Sequence, residues 1–97
     1  MRRGGSWFEF VDKVNILQSE RNGRYYIGFT KDVESRLDLH NRGKVKSTRY
    51  IRPLKIVYTE DYDTATEARQ REHYLKTLKS RRVIQNLINQ RAISSAG

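Results

Sequence analysis

The chain has no cysteine, one proline, one methionine and one tryptophan in 97 residues. Without cysteine there is no disulfide, no thiolate zinc ligand and no thiol nucleophile. No apolar run approaches the roughly 20 residues that span a bilayer. The leading Met1-Arg2-Arg3-Gly4-Gly5-Ser6 is basic, but neither an apolar signal core nor a small-residue cleavage site follows it. A secretory signal is therefore not expected, and the expected compartment is the reducing cytoplasm. Acidic residues are scarce: 11 Asp+Glu stand against 20 Lys+Arg, a formal charge of +9. Such a field attracts polyanions, DNA first and RNA as the alternative. An anionic membrane is the weaker candidate, because no long helix pairs a Lys-rich face with a Trp/Phe/Leu face.

What is present is one small domain's worth of periodic pattern. Met1–Ser6 reads as a leader, and Trp7-Phe8-Glu9-Phe10-Val11 as a short apolar lead-in. Val14–Leu17 and Arg24–Phe29 are strand-like, and between them stands Asn22-Gly23, the strongest short hairpin signal. Thr30 or Asp32 can cap a helix in which Val33, Arg36, Leu37 and His40 recur at helical spacing, with Gly43 placed as its terminating glycine. A polar, basic connection over 44–53 leads to a third strand, Leu54–Asp61, with Ile56 and Tyr58 on one face and Val57 and Thr59 on the other. Thr64-Ala65-Thr66-Glu67 is a capping box for a helix to about Leu78. Ser80 can cap a last helix through about Asn89, with Val83 and Leu87, and also Ile84 and Ile88, turned inward. The order β-β-α-β-α-α predicts an α+β fold, a small three-stranded antiparallel sheet flanked by helices.

Chemistry-bearing residues fall on these elements in groups. A two-residue turn at Asn22-Gly23 would set Arg21 against Arg24, Ser19 against Tyr26 and Asn15 against Thr30. Asn15, Tyr26 and Gly28 then share one face, a polar floor with a glycine gap, although Tyr26 equally suits an amphipathic core position. Arg36 and His40, four apart on the first helix, pair a permanently charged fork with a group that moves protons near neutral pH. Ala68, Glu72 and Leu75 share a stripe, which puts a carboxylate where it needs a cation: a neighbouring arginine, or Mg²⁺ or Mn²⁺. The connection from Arg42 to Pro53 carries Arg42, Lys44, Lys46, Arg49 and Arg52 with Ser47, Thr48 and Tyr50, and no acid interrupts it. These side chains suit phosphate contacts, and Tyr50 suits stacking on a base.

Together these segments resemble the GIY-YIG endonuclease family. The resemblance rests on Val14-Asn15-Ile16-Leu17, Asn22-Gly23, Tyr25-Tyr26-Ile27-Gly28-Phe29-Thr30, Arg36-Leu37-Asp38-Leu39-His40-Asn41 and Ala68-Arg69-Gln70-Arg71-Glu72, in the family's order. It is closest to the small single-domain bacterial members, and the family also includes the incision domain of the bacterial excision-repair nuclease, hence an expected tie to DNA repair. It implies a domain over about 12–89 between a flexible leader (1–11) and a flexible tail (90–97). It also implies one-metal phosphodiester hydrolysis with Mg²⁺ or Mn²⁺. The motif Tyr26-Ile27-Gly28 is present verbatim; the helix arginine matches Arg36, the histidine His40, the metal-binding glutamate Glu72 and, at looser spacing, a late asparagine Asn86. One position departs: Asn15 stands where the first-motif tyrosine, assigned in several members to activating water, is found.

The resemblance implies a division of labour. Glu72 holds the metal, Arg36 binds the scissile phosphate, and Tyr26 or His40 positions the water and takes its proton, with Asn15 able to orient a water only. Arg24 and the Arg42, Lys44, Lys46, Arg49, Tyr50 and Arg52 connection are expected to bind nucleic acid. The expected function is a DNA-binding endonuclease weakened by Asn15; the alternative is a non-catalytic DNA- or RNA-binding module. A monomer is expected, and a protein partner that supplies specificity stays open.

Overall fold

The computed structural model describes residues 12–96, with side chains for 12–90. The leader over 1–11, with its Trp7–Val11 lead-in, lies outside the described residues. So do Gly97 and the side chains of the tail beyond Gln90. The elements are β1 (Asp12–Ser19), β2 (Tyr25–Thr30), α1 (Val33–Asn41), a 3₁₀ turn (Arg49–Ile51), β3 (Leu54–Tyr62), α2 (Ala65–Leu78) and α3 (Arg81–Ala96). The three strands form one antiparallel sheet, as the pattern predicts, and its order is β2-β1-β3. Central β1 is covered on both faces, so Val14, Ile16 and Leu17 are fully buried and even Asn15 is 2% exposed.

The hairpin is wider than the Asn-Gly signal predicts. Ser19 N–H donates to Arg24 O and Gly23 N–H to Ser19 O, so the loop is four residues, Glu20 to Gly23. The cause is Ser19, whose hydroxyl accepts from the Arg21 and Asn22 amides at 3.0 Å each and donates to Ile51 O at 2.6 Å. Asn22 Oδ1 accepts from Arg24 N–H, and Gly23 takes φ +79°, open to glycine without a Cβ clash. The expected pairs therefore give way to Leu17 opposite Tyr26, Asn15 opposite Gly28 and Lys13 opposite Thr30. A shift of two residues leaves every side chain on its face. A one-residue slip would not, and β3 has one: Ile16 faces Tyr58 but Leu17 faces Ile56, so Val57 is an extra residue. Ile56 and Tyr58 thus part to opposite faces, against the simple alternation.

Helix boundaries follow their caps. Asp32 starts α1 by accepting from Ser35 N–H at 3.0 Å, and Gly43, at φ +78°, ends it. Thr64 caps α2 through Glu67 N–H, and Ser80 caps α3 through Val83 N–H. The backbone of α3 stays helical to Ala96, past the expected end at Asn89. Ile84 is the buried residue of α3, packed with Leu87 and Ile88, while Val83 is 44% exposed and turned outward, opposite to the expectation. Val14 and Ile16, with Ile27 and Phe29, meet Ala68 and Leu75 of α2 and Ile84 of α3. The other face, carrying Asn15, Tyr26 and Gly28, lies under α1. There Asn41 clamps the start of β3, its amide donating to Leu54 O and accepting from Leu54 N–H.

Candidate active site

Strand alternation and α1 bring the polar residues to one place. A cleft of about 160 Å³ is lined by Asn15, Tyr26, Gly28, Phe29, Arg36, His40, Val45 and Glu72. β2 is an edge strand, and the cleft draws on both helical layers beside it: α1 supplies Arg36 and His40, and α2 supplies Glu72. A larger groove of about 650 Å³ shares Phe29 and Glu72 and adds Arg69, Gln70 and His73. It is apolar and open. The small cleft, in contrast, concentrates the titratable groups and is the better candidate for chemistry.

Arg36 and His40 take different positions despite sharing a helix stripe. Arg36 is exposed at the rim, and His40 is 1% exposed. The His40 ring meets Tyr26 edge-on, centroids 4.9 Å apart, and its Nδ1 lies 2.6 Å from Thr48 Oγ1. Burial, then the Arg36 charge, hold His40 below the ordinary imidazole value of 6.5, so it is neutral at physiological pH. Thr48 is a residue that sequence reading missed in this role. Its place in the basic connection suits a phosphate contact, yet it is 1% exposed and committed to His40. No periodicity links residues eight apart across a helix end, so only the fold reveals the pair.

Glu72 sits on the α2 stripe between buried Ala68 and Leu75, its side chain 17% exposed. Its present cation is Lys76, one turn on at 3.0 Å, rather than an arginine. Among the described residues no three His, Asp or Glu side chains converge to cage a metal. A hard cation at Glu72 would therefore take one carboxylate and fill its shell with phosphate oxygens and water, a set that suits Mg²⁺ and that Lys76 can vacate. Asn15 lies opposite Gly28, 2% exposed, and its Nδ2 has no hydrogen-bond partner among the described residues.

The other expected residues lie outside the cleft. Asn86 is exposed on α3 and lines no part of it. Arg24 flanks a separate depression with Tyr25, Lys79, Ser80, Arg81 and Ile84. Arg42 pairs with Asp38 at 2.9 Å, while Lys44 and Lys46 are exposed with no ion pair among the described residues. Arg49 Nε donates to Gly43 O and Arg52 Nε to Arg49 O, so these two arginines brace the connection while keeping exposed charge. Tyr50 is 75% exposed.

Comparison with known proteins agrees with this geometry. The model of the GIY-YIG catalytic domain matches residues 14–87. The chain belongs to the GIY-YIG family. UPF0213 proteins of Staphylococcus aureus, from strains Mu3 and Mu50, are each 46% identical over 57 residues, covering 58% of this chain and 70% of theirs. The solution NMR structure of the UPF0213 protein BH0048 from Bacillus halodurans matches with a TM-score of 0.53 at 33% identity, over 82% of this chain and 84% of that one. The GIY-YIG domain here is thus a nuclease-type fold of the small single-domain kind. No helix among its described residues is long and apolar enough to cross a membrane.

Proposed function

We propose that this GIY-YIG domain binds DNA and hydrolyses its phosphodiester backbone, slowly, with Mg²⁺ or Mn²⁺. The observation that carries the reading is the convergence of Tyr26, Arg36, His40 and Glu72 in one small cleft of a strongly basic chain. A metal held by Glu72 would supply Lewis-acid stabilisation of the leaving oxygen. Arg36, free of any ion pair among the described residues, binds the scissile phosphate and stabilises the charge added as water attacks. His40, already neutral, accepts the water's proton at Nε2, because Nδ1 is engaged by Thr48. Tyr26 fixes the ring edge-on and is the alternative proton acceptor; free tyrosine, with a pKa of about 10, is the poorer base at neutral pH. Lys44, Lys46, Arg49 and Arg52, with Tyr50, guide the DNA backbone toward the cleft.

A second reading, DNA binding without cleavage, draws on Asn15, whose amide can orient a water but cannot accept a proton. Cleavage assays on branched, nicked, flapped and single-stranded DNA with Mg²⁺ and Mn²⁺ test both. Metal-dependent nicking supports the nuclease. Salt-sensitive binding without nicking supports the module, and tight RNA binding indifferent to Glu72 would argue for an RNA-associated role instead.

A further inference from the structure

Within the basic connection Thr48 turns inward. It is 1% exposed, while Lys46, Ser47, Arg49 and Tyr50 around it are all exposed. Its backbone is held in tight turns, Thr48 N–H donating to Val45 O at 3.2 Å and Ile51 N–H to Thr48 O at 3.1 Å. Its hydroxyl stands 2.6 Å from His40 Nδ1 and 3.5 Å from Val45 O. A hydroxyl has one proton to share, so it has two arrangements. If it donates to Nδ1, the neutral ring carries its own proton on Nε2, and that donor has no acceptor among the described residues. If it donates to Val45 O, the ring donates Nδ1–H to the Thr48 oxygen, both donors are used, and Nε2 is left as a bare acceptor. Buried donors without partners are rarer than buried acceptors without them, which favours the second arrangement. His40 lines the cleft and Thr48 does not, and Nε2 is not among the sealed nitrogens, so the bare end of the ring keeps access to the cleft.

We propose that Thr48 is a positioning residue for cleavage: its hydroxyl accepts a hydrogen bond from His40 Nδ1–H, donates its own to Val45 O, and so holds His40 in the tautomer whose Nε2 can take a proton from water. The inference rests on the nuclease reading above and names the residue that makes His40 competent as its base. The tautomer of an imidazole is set by the hydrogen bond at its other nitrogen. Tyr26, edge-on with centroids 4.9 Å apart, limits the ring without choosing between its nitrogens. Thr48 touches neither the DNA nor the attacking water. It belongs to the segment assigned to grip DNA, so the same turn that presents Lys46, Arg49 and Tyr50 outward seats the base inward.

The test compares the whole native chain with Thr48→Val, which keeps the shape and removes the hydroxyl, and Thr48→Ser, which keeps the hydroxyl. NMR of the imidazole nitrogens in mildly alkaline buffer reads which one carries the proton, and the His40 signals are assigned by their loss in His40→Gln, which leaves those of His73. Mn²⁺-dependent nicking and binding of a short fluorescent duplex in Ca²⁺ buffer are measured on the same proteins, below the lowest of their melting temperatures. The native chain and Thr48→Ser should show the proton on Nδ1, and Thr48→Val should shift it toward Nε2. An ordinary neutral hydrogen bond biases such an equilibrium by about 5–10-fold, so nicking by Thr48→Val should fall by about that factor while duplex affinity stays within about twofold of native, and Thr48→Ser should nick at close to the native rate. A native ring protonated on Nε2, a Thr48→Val ring still protonated on Nδ1, or Thr48→Val nicking as fast as native would overturn the role of Thr48 and leave the nuclease reading standing. A native chain that does not nick would overturn that reading and, with it, any role of Thr48 in the reaction, whatever tautomer the spectra show.

Discussion

In the proposed mechanism two helix side chains, Glu72 and His40, separate a nuclease from a binding module. Glu72→Gln keeps the shape and removes the charge that a metal needs. Its partner Lys76 is half exposed, and such an i,i+4 pair contributes only about 0.3–0.5 kcal/mol. Cleavage should therefore vanish while the melting temperature and DNA affinity stay close to native; a melting curve paired with a nicking assay reads both. In the proposed mechanism His40 sets the pH profile. Its conjugate acid is held below 6.5 first by burial and then by Arg36, so the base is available down into mildly acidic solution. The nicking rate should rise through that lowered value and be level above about pH 6.5. A rate that goes on climbing in alkaline solution would count against His40 as the base. The same shift acts on stability. Above 6.5 His40 is neutral in both folded and unfolded chains; as pH falls through the lowered folded value, the unfolded chain binds the proton first and stability declines. Urea midpoints against pH should show this decline, and His40→Gln should flatten it.

At the scale of elements, the sequence made the strands, helices and caps legible because each has a local cause: alternation, helical spacing, Asp32, Thr64 and Ser80. The faces of Asn15, Tyr26 and Gly28 were legible even though the register was displaced, since any even shift preserves them. What escaped was set by contacts distant in sequence. Ser19 widens the hairpin partly by reaching Ile51, the Val57 bulge depends on pairing with β1, and Thr48 meets His40 only once the connection folds over α1. Val83 turns outward against the expectation because adjacent apolar residues at the start of α3 leave the inward face ambiguous by about 100°, and packing against Ile16 and Tyr58 selects Ile84. The basic connection carries its own prediction. Lys44 and Lys46 have no acidic partner among the described residues, so replacing Lys44, Lys46 and Arg49 with Ala should weaken binding to all DNA sequences alike and reduce the slope of log affinity against log salt by about 2–3. Anisotropy titrations from low to moderate salt measure it, and an unchanged slope would move the DNA path elsewhere.

The molecule as a whole is a thin sheet braced on one side by polar as well as apolar contacts. Glu60 receives both Arg71 Nε at 2.9 Å and Nη2 at 3.0 Å, together with the hydroxyls of Tyr58 and Tyr62. Burial opposes its charge, but these hydrogen bonds prevail and hold it below the usual 4.5, while Tyr62 is pushed up to about 12 by burial and by Glu60. The lowered carboxyl contributes stability above pH 4.5 that is lost as pH falls through its folded value, a second acid step below that of His40. Arg71→Met should destabilise by about 1–3 kcal/mol in urea titrations, less than a fully buried pair because Arg71 keeps 30% of its side chain exposed. This brace fixes α2 to β3 and, through α2, the position of Glu72 against the cleft. The proposed site lacks one hydroxyl, at Asn15, where the family resemblance places a tyrosine. The decisive measurement is a side-by-side Mn²⁺-dependent plasmid-nicking assay of the native chain, Asn15→Tyr, and Asn15→Tyr combined with Glu72→Gln. Losing one proton-transfer group typically lowers a rate by about 10²–10⁴-fold, so Asn15→Tyr should recover part of that over a slow native chain, and the double variant should be inactive. A native chain as fast as Asn15→Tyr would contradict the account.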